Sequence, residues 1–349
     1  MQLLRVISRP AFTARLILVT AVCLAAVRHG AAQDTPLLSG GVGFFTSTSG
    51  GQTSYQPLIE PLLAAPLTNH FLIESRGILL EEFSPNGHGY DHSHLATLIY
   101  LQGDYLATPH LNIVGGSFLL PFNTYNDRLS PFWINNFQDG PLIASVGAMS
   151  SGTGLGGMLS GSALSSNKYN LSYNAWYSAR SGNFYFNSKR SSGGRASLYF
   201  PDSRVEIGLS YDRLLQGTHE NFYGTHLWWE PRDNGFRFRS EYARGHHAQG
   251  YWFETDYRTR AFGGLNSWVG RFEPLFRLQQ TFRIDKLASD GVPPVNTQRA
   301  DFGLDYNLPH NVRILTSYSR QFSSTGNVNI WETGIAYRYL LPAWKGHMQ

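Results

Sequence analysis

The sequence predicts an all-β fold: a transmembrane antiparallel β-barrel of about 16 strands with an inward-folded constriction loop. The first observation is the composition, because only 15% of the 349 residues are charged whereas 14% are aromatic. In a typical soluble domain, about a quarter of the residues are charged. The second is that no apolar run beyond the N-terminus is long enough for a membrane helix. The third is that apolar and aromatic residues recur at every second position along most of the chain.

The first 32 residues are predicted to be a secretory signal peptide. Three arginines precede the apolar stretch 16–27, and the small residues Gly30, Ala31 and Ala32 follow as a cleavage site. A membrane anchor is the alternative, but this stretch is short for a bilayer core of about 30 Å. Export by the Sec pathway is therefore expected, and residues 33–349 are the predicted barrel.

Removal of the signal peptide changes the charge argument. It removes four arginines and no acidic residue, which leaves 24 basic and 24 acidic residues in a formally neutral chain. No basic surplus then remains to indicate a nucleic-acid partner. The only cysteine, Cys23, lies inside the signal peptide, and Val22 before it disfavours lipidation. The exported chain is thus expected to have neither a disulfide nor thiolate chemistry.

About sixteen segments of the exported chain alternate with strand periodicity, each about 9–15 residues long. In 203–213, for example, Val205, Ile207 and Leu209 form an apolar face that opposes Arg204 and Glu206. Glycine, proline and asparagine between the segments mark the turns. The predicted strands are 53–65, 70–84, 94–108, 111–122, 142–150, 154–163, 169–180, 192–200, 203–213, 219–230, 234–244, 250–260, 266–278, 297–308, 310–322 and 327–340.

Strand length and aromatic content favour a membrane barrel over a soluble β-protein. A tilted membrane strand needs about 9–11 residues, whereas soluble strands typically have about 5–6. Aromatic pairs such as Trp228-Trp229 near predicted strand ends are typical of interfacial girdles. Periodicity alone fits a soluble β-sandwich or propeller equally, so an exported carbohydrate-binding protein of that kind stays open as an alternative.

Residues 111–142, LNIVGGSFLLPFNTYNDRLSPFWINNFQDGPL, resemble a segment of Gram-negative outer-membrane porins related to the phosphate-selective porin family, in which a strand leads into a long loop. The segments 154–161 and 169–177 are similar to the strands that follow it in that family. The resemblance is specific over about 70 residues and diffuse elsewhere. It implies a sixteen-stranded channel, commonly trimeric, with a loop folded into the lumen.

Two features depart from the family pattern. Anion-selective members line the pore with basic residues, but the exported chain has only four lysines, at 168, 189, 286 and 345, so the resemblance does not imply phosphate selectivity. Barrel chains of this class also usually end in an aromatic residue, whereas residues 342–349 extend beyond Tyr339 and Leu341.

The arginines are the strongest candidates for functional residues. Residues 33–167 contain two basic and nine acidic residues, whereas 168–349 contain 22 basic and 15 acidic residues. A positive lumenal wall facing an acidic one would orient dipolar solutes and tune ion selectivity. The alternative is that these arginines form salt bridges with acids on neighbouring strands. The predicted pore-lining residues are Arg204, Arg237, Arg239, Arg258, Arg260, Arg271 and Arg277.

Residues 123–141 lack alternation and form the predicted constriction loop, with Asp127, Arg128 and Asp139 near the narrowest point. Its aromatic residues are too apolar for a solvated loop, so we expect it to be packed inside the lumen. A loop buried at a subunit contact is the alternative.

The remaining motifs point to no enzyme. His88, His92 and His94 near Asp91 suggest zinc by residue type, but a hydrated turn accounts for them better because no fourth ligand is fixed. Neither GxSxG nor HExxH is present, and the glycines of 152–156 precede no helix. We therefore expect no catalytic residue, metal or cofactor.

The function predicted from these observations is an outer-membrane porin that passes small hydrophilic or ionic solutes by passive diffusion. Its partners would be outer-membrane lipid, the solutes and, through the resemblance, two further copies in a homotrimer. An outer-membrane barrel hydrolase with Ser, His and Asp at its rim is the enzymatic alternative.

Overall fold

A computed structural model describes residues 36–144, 152–183, 186–217, 219–232, 235–264, 267–285 and 290–342. The predicted signal peptide, residues 1–32, lies outside the described residues, as does the predicted C-terminal extension beyond Pro342. Among the described residues, no helix has the length and apolarity needed to cross a membrane.

Sixteen antiparallel strands form one closed barrel in which each strand pairs with its neighbours in sequence and β1 pairs with β16. Strands β2, β3, β4 and β16 are the longest, with 15–19 residues. The strands are β1 Leu37–Ser49, β2 Gln52–Thr68, β3 Phe71–Pro85, β4 Tyr90–Thr108, β5 Leu111–Leu119, β6 Thr153–Ser165, β7 Asn170–Ala179, β8 Ser191–Phe200, β9 Val205–Leu214, β10 Asn221–Trp229, β11 Phe236–Arg244, β12 Ala248–Tyr257, β13 Phe272–Arg283, β14 Thr297–Asn307, β15 Val312–Ser323 and β16 Gly326–Pro342.

Two connections stand out by length and content. The connection from β5 to β6 spans residues 120–152 and includes one π-helical turn, Tyr125–Leu129. The connection from β12 to β13 contains two short 3₁₀ turns, Thr259–Phe262 and Val269–Arg271. Most of the other described connections are tight turns. The connection from β5 to β6 is much longer, and connections of that length are usually functional.

The two faces of the wall have opposite character. Along β9, Ile207, Leu209 and Tyr211 point outward and are 45%, 70% and 38% exposed, whereas Ser210 and Asp212 point inward and are 5% and 0% exposed. A soluble protein buries its apolar side chains, and this barrel buries its polar ones. An apolar exterior around a polar interior is the arrangement of a membrane-spanning barrel, and the closed wall excludes both the sandwich and the propeller.

The strand positions confirm most of the predicted segments, correct two of them and add one strand that was not predicted. The prediction missed β1 because SGGVGFF offers glycines where apolar side chains would alternate. The predicted strand 142–150 is wrong in its described part, because residues 142–144 form a turn of the long connection. The strand predicted at 266–278 begins only at Phe272. The predicted total of about sixteen strands is confirmed.

Replacing an outward leucine by arginine measures where the membrane lies. Leu209 is near the centre of β9, and Leu164, also outward and 54% exposed, is near the end of β6. In lipid vesicles, we expect Leu209→Arg to lower the unfolding free energy by about 2–4 kcal/mol and Leu164→Arg by about 0–1 kcal/mol, because charge costs most at the bilayer midplane. Denaturant titration of the refolded protein checks this. Equal losses for both variants would contradict the placement of Leu209 in the hydrocarbon layer.

Candidate functional site

The described residues 120–144 of the long connection between β5 and β6 lie inside the barrel. They make contacts to inward side chains on strands that lie on opposite sides of the closed wall, including Glu60 on β2, Arg195 on β8, Glu241 on β11 and Arg299 on β14. A segment that reaches all of these side chains must cross the lumen. We call residues 120–144 the lumenal segment.

Glu241 is the most heavily bonded anchor of the lumenal segment. Its Oε1 accepts from the backbone N–H and the Oγ1 of Thr124, both at 2.7 Å, and from the N–H of Tyr125 at 2.8 Å. Its Oε2 accepts from Trp252 Nε1 at 3.2 Å. The carboxylate is 2% exposed, so one inward acid of β11 holds the start of the π-helical turn.

Apolar packing surrounds this anchor. Phe122, Tyr125, Leu129 and Ile143 of the lumenal segment form a buried cluster with Trp252 and other wall residues. Burial raises the pKa of the Tyr125 hydroxyl well above its ordinary value, because the phenolate would lose its hydration, and that hydroxyl accepts a 2.9 Å hydrogen bond from Asn135. The side chain thus remains neutral and packs as part of the cluster.

Ion pairs fix the three charged residues predicted for the constriction. Asp127 pairs with Arg195 on β8 at 2.8 Å, and Arg128 donates to Glu206 on β9 at 2.9 Å. Asp139 lies farther along and accepts from Arg299 on β14 at 2.9 Å. Each of these residues meets a partner on the wall.

Glycines in β1 provide the room for the aromatic part of the lumenal segment. Phe132 packs edge-on against Phe45, with ring centroids 5.6 Å apart. A Cβ at Gly41 would lie 2.6 Å from the Phe132 ring, and one at Gly43 would lie 2.9 Å from it. These glycines, which are the reason that β1 was not predicted, therefore allow the contact with Phe132.

Three of the seven predicted pore-lining arginines project inward from strands, and all three are paired. Arg237 donates to Asp256 at 2.5 Å and also to Glu273. The other pairs join Arg239 to Glu254 at 3.3 Å and Arg277 to Asp301 at 2.9 Å.

These pairs continue across the wall and onto the lumenal segment. Arg277 is 0% exposed and lies over the Phe137 ring at 4.4 Å, and Asn136 donates to both Glu254 and Asp256. On these strands the arginines therefore form salt bridges with acids of the wall, which was the alternative interpretation. They do not form a wall of unpaired positive charge.

The other four predicted pore-lining arginines lie outside the strands. Arg204 is in the turn before β9 with a φ of 53°, and Arg258 directly follows β12. Arg260 and Arg271 belong to the two 3₁₀ turns that connect β12 to β13. In the sequence, the alternation of apolar and charged residues continues through residues 250–278. The backbone, however, leaves the sheet after Tyr257, so the prediction from periodicity was wrong to place these side chains on a strand face.

Sequence reasoning did not single out several residues that organise the interior. Arg195 reaches the lumenal segment at both Asp127 and the Asn123 carbonyl, and Arg299 joins Asp139 to Asp301. Arg313 on β15 donates to the Asn135 carbonyl. The alternation of the strands that carry these arginines can be read from the sequence. Their partners, however, are distant in sequence, and no local pattern identifies those partners.

The interior of β2 to β5 is different because its charged side chains are mostly carboxylates. Glu60 and Glu74 face inward from β2 and β3, and Asp104 faces inward from β4. A cavity of about 850 Å³ opens among these strands near the turns 69–70 and 109–110, and Glu74, Asp104 and Asn112 line it.

The histidines considered as zinc ligands lie in the turn before β4 and near its start. His92 is exposed, stacks on Phe83 at 4.8 Å and lies 2.5 Å from Glu81. Over the described ranges, no group of three or more His, Cys, Asp or Glu side chains is placed to hold a metal ion.

One Ser, His and acid grouping exists inside the barrel. His226 Nε2 lies 3.2 Å from Glu206 and 3.5 Å from Ser197. Both groups face the same ring nitrogen, whereas a catalytic triad uses one ring nitrogen for the nucleophile and the other for the acid. This arrangement does not form a triad.

The barrel has the fold of known outer-membrane proteins. OmpF of Salmonella typhi, solved in complex with daunomycin, matches with a TM-score of 0.58 at 11% identity over 88% of this chain and 97% of that one. A loop-deletion mutant of OmpT, an outer membrane protein of Vibrio cholerae, matches with a TM-score of 0.57 at 8% identity over 88% and 100%. OccK5 of Pseudomonas aeruginosa matches with a TM-score of 0.50 at 11% identity over 90% and 100%.

No protein-family model and no curated protein sequence matches this chain. The structural matches have low identity and show a shared fold. The resemblance to phosphate-selective porins therefore stays a prediction.

Loss of the Glu241 carboxylate should release the start of the lumenal segment. We expect Glu241→Ala to lower the unfolding free energy by at least about 3 kcal/mol, because four buried donors lose their acceptor. Denaturant titration in detergent measures the loss, and protease digestion reports exposure of the segment. Glu81→Ala, at an exposed carboxylate on β3, is the matched control and should cost less than about 0.5 kcal/mol. Equal losses in both variants would contradict the anchoring role.

Proposed function

We propose that this protein is an outer-membrane porin, a water-filled channel through which small hydrophilic or ionic solutes diffuse passively. The observation that carries the proposal is the sixteen-stranded closed barrel with an apolar exterior and a polar interior. Barrels of about eight strands are filled by their own side chains, whereas those with about 16–18 leave an aqueous channel. Sixteen strands thus provide a lumen wide enough to hold both a folded-in segment and water.

The lumenal segment supplies the narrowing that a diffusion channel needs for size selection. It crosses the interior, and its polar and apolar contacts fix it to opposite sides of the wall. Asp127, Arg128 and Asp139 are its charged residues, and their ion pairs hold the backbone in place. A narrowing that is held by many contacts sets a constant pore size instead of opening and closing.

The location and assembly belong to the same proposal. A signal peptide that ends at residue 32 would export the chain by the Sec pathway, and the barrel would then insert into the outer membrane of a Gram-negative cell. Relationship to the phosphate-selective porins, and trimerisation with it, rests on the segment 111–142. The proposed activity needs no catalytic residue or cofactor, since diffusion through a fixed pore involves no chemical step.

Planar-bilayer recording of the purified, refolded exported chain tests the channel. We expect stable single-channel steps, because water and ions can pass a polar lumen of this width. Liposome swelling with neutral sugars of increasing size should then show a sharp exclusion limit set by the lumenal segment. Heat-modifiable migration on gels is the control for folding.

A correctly folded barrel that inserts but never conducts would contradict the porin proposal. The hydrolase alternative would then be examined with lipid and peptide substrates.

A further inference from the structure

The barrel interior is filled unevenly, and the charge of its open part favours one class of solute. Resting on the proposed function, we infer that the conducting path passes the ends of β2 to β5 near the turns 69–70 and 109–110, and that Glu74 and Asp104 there make it selective for cations. The two carboxylates are then specificity-determining residues for small cationic solutes.

The side of the lumen formed by β9 to β14 is packed. Most inward side chains there are buried, although many are polar, and the lumenal segment lies against them. Water-filled space along this wall would expose these side chains. The inward residues that are 0% exposed are Asp212, Arg277, Gln279, Thr281, Asp301 and Asp305.

The opposite side is open near the turns 69–70 and 109–110, whereas Glu60, Arg76 and Val114 farther along these strands are buried. The cavity of about 850 Å³ lies between β1 and β5, and its inward lining side chains include Glu74 on β3 and Asp104 on β4. In the β3–β4 register, Glu74 lies opposite Gln102 and Leu72 lies opposite Asp104, so the two carboxylates are diagonal neighbours on one face. Solutes that use this space must pass both of them.

No salt bridge among the described residues joins Glu74 or Asp104 to a basic side chain. Asp104 accepts from the amides of Gln102 and Asn112, at 3.0 and 3.1 Å, and neither donor carries a charge. Glu74 makes no salt bridge to any residue that the structure describes. Arg76, the inward basic residue of β3, is 3% exposed and donates to Ser130 of the lumenal segment, so it does not face the cavity.

The arginines across the lumen do not offset the negative potential of Glu74 and Asp104 either. Arg237, Arg239 and Arg277 are neutralised by acids of their own wall and are shielded by the lumenal segment. Two carboxylates in a narrow passage with low-dielectric walls concentrate cations and repel anions. The net charge of the accessible path, not that of the whole lumen, sets the selectivity.

The reversal potential of the refolded protein in a planar bilayer under a KCl gradient tests the inference. At low salt we expect a K⁺:Cl⁻ permeability ratio of about ten, which falls as ionic strength rises because salt screens the carboxylates. The double variant Glu74→Gln and Asp104→Asn should bring the ratio close to one while conductance steps persist. Glu81→Gln, an exposed carboxylate on the same strand, is the matched control and should keep the ratio of the unmodified protein.

Two outcomes would overturn the inference: a preference for chloride in the unmodified protein, or a ratio that the double variant leaves unchanged. If the double variant does not fold, Glu74→Gln alone decides, since this side chain makes no ion pair among the described residues and its loss should lower the ratio by itself. Failure of the proposed function is distinguishable, because it gives a folded barrel without any conductance and hence no reversal potential to measure.

Discussion

The requirement that every backbone N–H and C=O in a membrane finds a partner within the wall is the constraint on which the rest of the structure depends. The pairing of β1 with β16 meets it, because it removes the last free edge of the sheet. Once the wall is closed, each strand has one face in lipid and one in the lumen. The alternation along β9, from Leu209 outward to Ser210 inward, follows directly from that division.

A polar interior then creates a second requirement, because charged groups that lose water must be paired. The wall from β11 to β14 meets it by placing arginines opposite acids on adjacent strands, such as Arg239 opposite Glu254 and Arg277 opposite Asp301. The lumenal segment completes the set with its own groups. Asn136 donates to Glu254, and Asp139 pairs with Arg299. Wall and segment therefore stabilise one another, and neither has its polar groups satisfied alone.

Local periodicity was enough to predict the barrel and the faces of its regular strands, because a side chain in a closed sheet points in or out according to position. It failed where local pattern and tertiary environment differ. Gly41 and Gly43 gave no apolar signal, yet they make room for Phe132, and Arg258 and Arg271 continued an alternation that the backbone had already left. The partners inside the lumen were not predictable, since contacts such as Thr124 with Glu241 join residues more than one hundred positions apart.

The two halves of the chain differ in charge, and the order of the strands in the barrel decides which of these charges lie next to each other. Strands with consecutive numbers are neighbours, so the arginines of the second half meet the acids of the same half and neutralise them within one wall. The surplus arginines, including Arg204, Arg260 and Arg271, lie in turns outside the strands. Among the acids of the first half, Asp127 and Asp139 on the lumenal segment pair with Arg195 and Arg299, whereas no salt bridge among the described residues involves Glu74 or Asp104. A charge difference along the sequence thus becomes an acidic open side and a neutral packed side, instead of a field across the pore.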